Sequence, residues 1–334
     1  MAKTKTPPPD IKKIAVFTSG GDSPGMNAAV RAVVRAGTYR DLHVFGINRG
    51  YEGMIDGDLK RLERRDVGNI IQRGGTFLKT ARSMEFMTKE GRQHAYESLQ
   101  AYDIDACVAI GGNGTFTGAK VFSEEHNIPF IGMPGTIDND LYGTDYTIGY
   151  DTAVNTAVEA IDKIRDTAES HNRLFFIEVM GRHSGWIALE TGIATGAARI
   201  LIPETDTPID DIVERLRRDA KRKKRFSIIV VSEGNQNGKA ADIAAAVKQE
   251  TGDLFDIRVT VLGHMQRGGS PTARDRVLAS RLGDSAVQGL LDGRRNVMAG
   301  LVNDKVVFTS FDDAISKSYP PKPELIQLAK ILSM

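Results

Sequence analysis

Short runs of β-branched and other apolar residues recur along the chain at 14–18, 44–47, 106–110, 129–133, 174–179, 227–232, 259–262 and 306–309. The apolar positions in these runs are continuous rather than alternating, the pattern of parallel strands covered on both faces by helices. Helical spacing fills the stretches between them, as over 25–36. Over 151–168, Val154, Ala157, Val158, Ile161 and Ile164 return every three or four residues and predict one buried helix face. Another helix starts near Pro208, with Asp210 and Asp211 at its beginning and the basic run 221–225 at its end, an order that suits the macrodipole. Strands alternating with helices predict an α/β protein, most simply two doubly wound lobes whose mainly parallel sheets are sandwiched by helices.

Length supports two lobes, because a single core stops growing at roughly 250–300 residues and this chain has 334. Charge narrows the function. Forty-four basic residues face forty-three acidic ones, a formal charge of +1, which argues against a nucleic-acid or membrane-surface binder. The basic run 221–225 has two readings, a solvated helix end or a ligand contact. The single cysteine, Cys107, can form no internal disulfide and sits in an apolar run, where it reads as core. No apolar stretch approaches the roughly 20 residues that span a bilayer. The first ten residues are polar, carry Pro7-Pro8-Pro9 and predict a disordered tail without a signal core; the expected location is cytoplasmic.

Ligands of such sheets bind at the loops that follow the strands. After the first strand comes T-S-G-G-D-S-P-G-M-N at 18–27, where glycines allow close backbone approach and the next helix offers N–H groups to an anion. Gly20 and Gly25 have the Walker spacing, but Met26-Asn27 stands where Lys-Ser/Thr would be. A tight structural turn is the alternative. The run G-G-N-G-T-F-T-G at 111–118 offers a second phosphate cradle; its loose G-x-G-x-x-x-G also admits a nicotinamide reading, weakened because the next strand, 129–133, ends without the acidic residue that would hold a ribose. In P-G-T-I-D-N-D at 134–140, Asp138 and Asp140 are two apart, and on an extended segment they would point to one side. One carboxylate could then accept a hydroxyl proton while the other orients it or helps hold a cation. Met180-Gly181-Arg182, Ser232-Glu233-Gly234 and the 262–269 segment with His264 and Arg267 add arginines suited to a second anionic ligand.

These motifs, with R-G-G-T-F-L at 73–78, G-T-D-Y-T-I-G at 143–149, E-V-M-G-R at 178–182 and L-G-H-M-Q-R-G-G-S-P at 262–271, resemble the ATP-dependent 6-phosphofructokinase family from about Ile11 to Lys330. The resemblance implies a phosphofructokinase-like fold and transfer of a phosphoryl group from MgATP to the 1-hydroxyl of fructose 6-phosphate. It implies Asp138 as the general base, with Thr136 and Asp140 beside it, and Arg182 with Arg82 offsetting charge on the moving group. Gly21, Tyr51, Arg82, Ser83, Gly112, Asn113, Gly114, Thr115 and Gly118 match nucleotide positions, and Asn113 the magnesium position. Thr136, Asp138, Met180, Gly181, Arg182, Glu233, His264 and Arg267 match sugar-phosphate contacts. Arg173 and Arg258 match arginines that reach a neighbour's sugar phosphate, which implies a homotetramer. The implied nucleotide lobe covers 11–149 and 266–316, and the sugar-phosphate lobe 150–265 and 317–334.

Glycine at 114 and 135, where pyrophosphate-using relatives carry Asp and Lys, favours ATP. Asn113, where most ATP users carry Asp, removes one charge from the metal position. The alternatives are a pyrophosphate-dependent phosphotransferase and a catalytically silent sensor of nucleotide and sugar phosphate. At the family's effector site Arg31, Arg35, Lys224 and Arg225 keep positive charge, while Asp58, Ala198 and Phe226 depart from the pattern and imply a weak response to ADP or phosphoenolpyruvate.

Overall fold

The computed structural model describes residues 11–171, 173–222 and 227–333. The tail expected at 1–10 and the 223–226 part of the basic segment lie outside the described residues. In chain order the strands and helices are β1 (Lys13–Thr18), α1 (Met26–Tyr39), β2 (His43–Ile47), α2 (Tyr51–Ile55), β3 (Leu59–Leu62), α3 (Lys89–Ala101), β4 (Ala106–Gly111), α4 (Asn113–His126) and β5 (Phe130–Pro134). There follow α5 (Tyr150–His171), β6 (Arg173–Val179), α6 (Trp186–Ala194), β7 (Arg199–Leu201), α7 (Ile209–Lys221), β8 (Ser227–Ser232), α8 (Ala240–Thr251) and β9 (Asp256–Val261). The chain continues through α9 (Ala273–Leu291), β10 (Val297–Val302), β11 (Lys305–Ser310), α10 (Phe311–Ser316) and α11 (Pro323–Leu332).

Two compact units result. The first holds the described residues up to Ile137, then Leu141–Asp151 and Arg267–Ser318. Its seven-stranded sheet runs β11-β10-β5-β4-β1-β2-β3. Strand β1 lies between β2 and β4 and parallel to both, so the strand order reverses direction at β1 and β4. Along β1, Ile14 and Val16 pack with Val30, Val33 and Leu282 on one face, while Ala15 and Phe17 pack with Phe116, Phe122 and Phe130 on the other. Both faces are therefore buried, which is why the run reads as continuously apolar. Helix α9 approaches α1 closely because Gly283 has no side chain: a Cβ there would meet that of Ala32 at 2.5 Å.

The second unit consists of Asp138–Asp140, Thr152–Gln266 and the chain from Tyr319. Its four-stranded parallel sheet runs β7-β8-β6-β9. Leu174, Phe176, Ile229 and Val231 pack there against Ile212 and Leu216 of α7 and Ile243 and Val247 of α8. The indole N–H of Trp186 donates to the Tyr319 carbonyl at 2.9 Å, which ties the final segment to the start of α6.

The structure corrects the sequence reading in three places. The run at 306–309 belongs to β11, which pairs antiparallel with β10 rather than parallel. Strand β9 pairs with β6 at the sheet edge, and Val259 and Val261 are exposed rather than covered on both faces. Strands β3, β7 and β10 were not expected. Two of them are short, and β3 reads L-K-R-L with polar residues at its centre. No described helix is long and apolar enough to cross a membrane.

Candidate active site

In the first unit the loops after β1, β4 and β5 leave three adjacent strands, and the first two flank the point where the strand order reverses. Ligands of open α/β sheets bind at that place. The β1 loop is drawn onto β4 by the Ser19 N–H, which donates to the Ile110 carbonyl at 3.0 Å. The Thr115 hydroxyl on α4 donates back to the Ser19 carbonyl at 3.2 Å. Gly111 lies between them, and a Cβ there would fall 2.3 Å from Thr115 Oγ1 and 2.5 Å from the Ser19 oxygen. The β5 loop joins the same cluster through the Gly135 N–H, which donates to the Gly111 carbonyl at 3.0 Å.

These contacts fix the start of α4. Gly112 caps it in extended backbone without a side-chain bond, and Asn113 and Gly114 occupy its first two positions. The N–H groups of a first turn have no acceptor within the helix and carry the positive end of its dipole. A Cβ on Gly114 would meet nothing within 4 Å, so the space beside this turn is open. Asn113 Oδ1 is buried and has no hydrogen-bond partner.

The R-G-G-T-F-L segment, with Lys79 and Thr80 just after it, holds the first loop from the other side. The Thr18 hydroxyl donates to the Lys79 carbonyl at 2.8 Å and sits 2.6 Å from the Thr76 hydroxyl. The Thr80 hydroxyl donates to the Gly20 carbonyl at 2.8 Å. Asn27, buried on α1, accepts from the Phe77 N–H and donates to the carbonyls of Arg73 and Gly74. Gly21 faces Arg267, whose Nη1 donates to the Asp22 carbonyl at 3.3 Å.

Tyr51 is buried rather than open. Its ring stacks on Phe86 at 3.9 Å, and its hydroxyl donates to the Thr115 carbonyl. Burial pushes that phenol well above its ordinary pKa, so it acts as a fixed neutral donor under α4. Gly118 makes room for it, since a Cβ there would stand 3.0 Å from the ring. Arg82 is exposed in the loop leading to Phe86, and the Ser83 hydroxyl accepts from the Phe86 N–H at 3.2 Å.

The loop after β5 passes from the first unit into the second between Ile137 and Asp138. It is not extended: Asn139 has φ of +50° and separates the two aspartates. Asp138 and Asp140 therefore do not share a side by strand alternation, which requires β-region backbone throughout. Within the second unit the Ser184 hydroxyl donates to the Asp138 carbonyl at 2.7 Å. Asp140 is half-buried; its burial raises the carboxyl pKa above the ordinary range, partly opposed by its own backbone N–H and by His183.

Met180, Gly181 and Arg182 follow β6, Glu233 follows β8 and His264 follows β9, at the same end of the parallel sheet. The Glu233 N–H donates to the Val179 carbonyl at 2.9 Å, and the Ser232 hydroxyl donates to the Gly181 carbonyl at 2.5 Å. Gly234 allows the two loops to touch, because a Cβ there would lie 1.8 Å from the Arg182 carbonyl oxygen. Buried Gln266 accepts from the Met180 N–H at 2.8 Å. Glu178, the one acid in an apolar strand, accepts from the Ala240 N–H at 2.9 Å; its isolation in that run was the available sequence signal.

Arg173 and Arg258 lie elsewhere in the unit. Arg173 opens β6, about 20 Å along the strand from the loop that carries Arg182 at ~3.3 Å per residue. Both arginines bond Asp256, Arg173 Nε at 2.9 Å and Arg258 Nη2 at 3.1 Å. Of the positions set apart at the effector site, Asp58 accepts from the Asn48 amide at 2.9 Å, Ala198 is buried, and Phe226 lies outside the described residues.

Glycine loops that open onto a helix start at the reversal point of a parallel sheet define an α/β protein of the phosphate-binding class. The family profile described as Phosphofructokinase matches residues 13–290. A curated relative from Cytophaga hutchinsonii, named an ATP-dependent 6-phosphofructokinase, is 57% identical and covers 97% of this chain and 98% of its own. A Thermus thermophilus relative, ATP-dependent 6-phosphofructokinase 1, is 56% identical over 97% of this chain and 100% of its own. Phosphofructokinase from Saccharomyces cerevisiae superimposes with a TM-score of 0.87 at 39% identity; 96% of this chain aligns, which spans 46% of the yeast chain. A pyrophosphate-dependent phosphofructokinase from Marinobacter aquaeolei gives 0.83 at 26% identity, over 94% of this chain and 86% of that one. The chain belongs to the phosphofructokinase family.

The raised pKa of Asp140 has a thermodynamic consequence. An acid whose folded pKa exceeds its unfolded one destabilises the fold wherever it is ionised, and the penalty disappears below the ordinary aspartate pKa of about 3.9. Asp140→Asn is therefore expected to raise the melting temperature at pH 7, with the gain closing as pH falls toward the ordinary carboxylate range. Melting curves across that range check it; a variant less stable than wild type at pH 7 would contradict the burial argument.

Proposed function

We infer that this protein transfers the γ-phosphoryl group of ATP to the 1-hydroxyl of fructose 6-phosphate, giving fructose 1,6-bisphosphate and ADP. One observation carries the reading: adjacent strands β1 and β4 deliver two glycine loops and an open α4 start, and β5 delivers the Thr136–Asp138 segment. Phosphoryl transfer is mostly alignment, charge neutralisation and a positioned base, and each part has a residue here. Gly21, Gly112 and Gly114 let backbone N–H groups approach the nucleotide phosphates, Thr115 holds the first loop in place through its hydroxyl, and Arg82 and Ser83 contact the nucleotide. Tyr51 and Gly118 act beneath, keeping α4 in place. Asp138 accepts the proton of the attacking hydroxyl, Thr136 and Asp140 orient the reacting groups, and Arg182 offsets charge on the moving group. Met180, Gly181, Glu233 and His264 bind the sugar phosphate, and Arg267 its phosphate group.

Glycine at 114 and 135 supports ATP as the donor, and the two positions are not equivalent. Gly135 is confined, because a Cβ would meet the Ile110 side chain at 2.9 Å and that of Met26 at 3.1 Å. Gly114 faces open space, so it is the position at which a side chain would occupy room beside the phosphates.

Magnesium fits the residues present. The Asn113 side-chain oxygen is buried and unpartnered, and magnesium bound to phosphates needs only one or two protein oxygens. Among the described residues no group of three or more His, Cys, Asp or Glu is placed to hold a metal. When bound, the ion neutralises phosphate charge; Asn113 would hold it, or its water, without a full charge of its own.

The assembly is a homotetramer in this reading. Arg173 and Arg258 start far along the sheet from Arg182, and Asp256 holds both outside the loops of their own chain. They are then available to complete the sugar-phosphate site of a neighbouring copy. The enzyme is cytoplasmic.

The decisive variant is Asp138→Asn. Turnover should fall about 10²–10⁴-fold with ATP affinity nearly unchanged, as steady-state rates and calorimetry would report. A variant that keeps more than half of wild-type turnover would remove Asp138 from the base role. For the metal, Asn113→Asp should lower the free magnesium needed for half-maximal rate; identical titrations would show that position 113 does not set metal affinity.

A further inference from the structure

Thiol oxidation has little purchase on this protein. Its one cysteine, Cys107, is fully buried in β4, and burial raises its pKa, which keeps it a thiol. The exposed sulfur belongs to methionines, and it is not spread evenly. Met26, Met54, Met133 and Met298 are inaccessible and Met180 nearly so, whereas Met84 and Met87 are 75% and 72% exposed. Met84 precedes and Met87 ends a short 3₁₀ turn, Glu85–Met87, that carries Phe86 and follows Arg82 and Ser83.

The turn is firmly held, so the exposure is built in. Phe86 is buried, stacks on Tyr51 at 3.9 Å and lies 5.7 Å from Phe122 of α4. Arg92, paired with Glu125, donates to the carbonyls of Phe86 and Met87 at 3.1 and 2.9 Å. The Met87 N–H donates to the Met84 carbonyl at 3.1 Å. The Phe86 ring is buried while Met84 and Met87 on either side of it are exposed. Through Tyr51, whose hydroxyl bonds the Thr115 carbonyl, the turn is coupled to the start of α4.

We propose that Met84 and Met87 are oxidation sites, and that their sulfoxides weaken nucleotide binding by changing the polarity beside Arg82 and Ser83. The effect on nucleotide rests on the functional reading above; the site assignment rests on exposure alone. The oxidant class is a peroxide. The thioether sulfur attacks one peroxide oxygen, an S–O bond forms as the O–O bond breaks, and the departing hydroxide takes the proton from the sulfur-bound oxygen, leaving sulfoxide and water. Sulfur loses two electrons and the peroxide gains them. A thiol-dependent methionine sulfoxide reductase would reverse the change.

The test treats the wild type and a Met84→Leu/Met87→Leu variant with hydrogen peroxide, maps oxygen uptake by peptide mass, and measures KM for ATP. Leucine is close to methionine in volume and cannot be oxidised. In the wild type both positions should oxidise ahead of the buried methionines, and KM for ATP should rise about three- to tenfold. The variant should keep its untreated KM, and reductase treatment should restore the wild type. An unchanged KM despite sulfoxide at both positions would overturn the inference. So would a rise that persists in the variant, which would place the effect at another oxidisable group, of which Met265 is the remaining exposed methionine among the described residues. Untreated protein without ATP turnover would overturn the functional reading, and this inference with it.

Discussion

Gly111 stands where two loops must nearly touch. With the Thr115 hydroxyl and the Ser19 carbonyl each about 2.5 Å from any Cβ at that position, even alanine would push the β1 loop away from β4. That contact decides the direction in which α4 leaves the sheet, where its first N–H groups point and how open the space beside Gly114 remains. Parallel pairing of β1 with β4 and of β4 with β5 brings the three loops to one edge, and the missing side chain lets them close there. Much of the first unit serves this edge: Thr76, Lys79 and Thr80 brace the β1 loop, and Tyr51 with Phe86 supports α4 from below.

The second unit solves a similar problem with different parts. Its loops after β6 and β8 meet where Gly234 rests against the Arg182 carbonyl, and Gln266 reaches back from beyond β9 to hold Met180. The contacts that fix Arg182, Glu233 and Gly181 run through backbone, which leaves the Arg182 side chain exposed and unspent on structure. Arg173 and Arg258 show the opposite economy, sharing one carboxylate at the far end of β6. A charge-assisted bond of this kind aligns both guanidinium groups in advance of any ligand.

The strand-end loops were legible in the sequence because glycines, isolated acids and arginines interrupt otherwise apolar runs, and the chain order of those interruptions is specific. The packing beneath them was not. Tyr51 reads as a ligand contact by position, yet its phenol is buried under α4, a placement decided by Phe86, which lies 35 residues further along the chain. Asn27 and Gln266 carry no local signal because their partners are backbone groups distant in sequence. Local reasoning also failed at Asn139, where one left-handed residue breaks the alternation assumed for Asp138 and Asp140. Strand β3 escaped notice because its centre is charged, and β11 was given the wrong direction because apolar runs do not encode strand polarity.

The function of this edge depends on the space beside the α4 start receiving a nucleotide. Initial rates with purified protein, fructose 6-phosphate and magnesium, supplied in parallel with ATP or with pyrophosphate, test that most directly. The open space at Gly114 predicts turnover with ATP well above any turnover with pyrophosphate, and fructose 1,6-bisphosphate as the product. Robust turnover with pyrophosphate and none with ATP would contradict it.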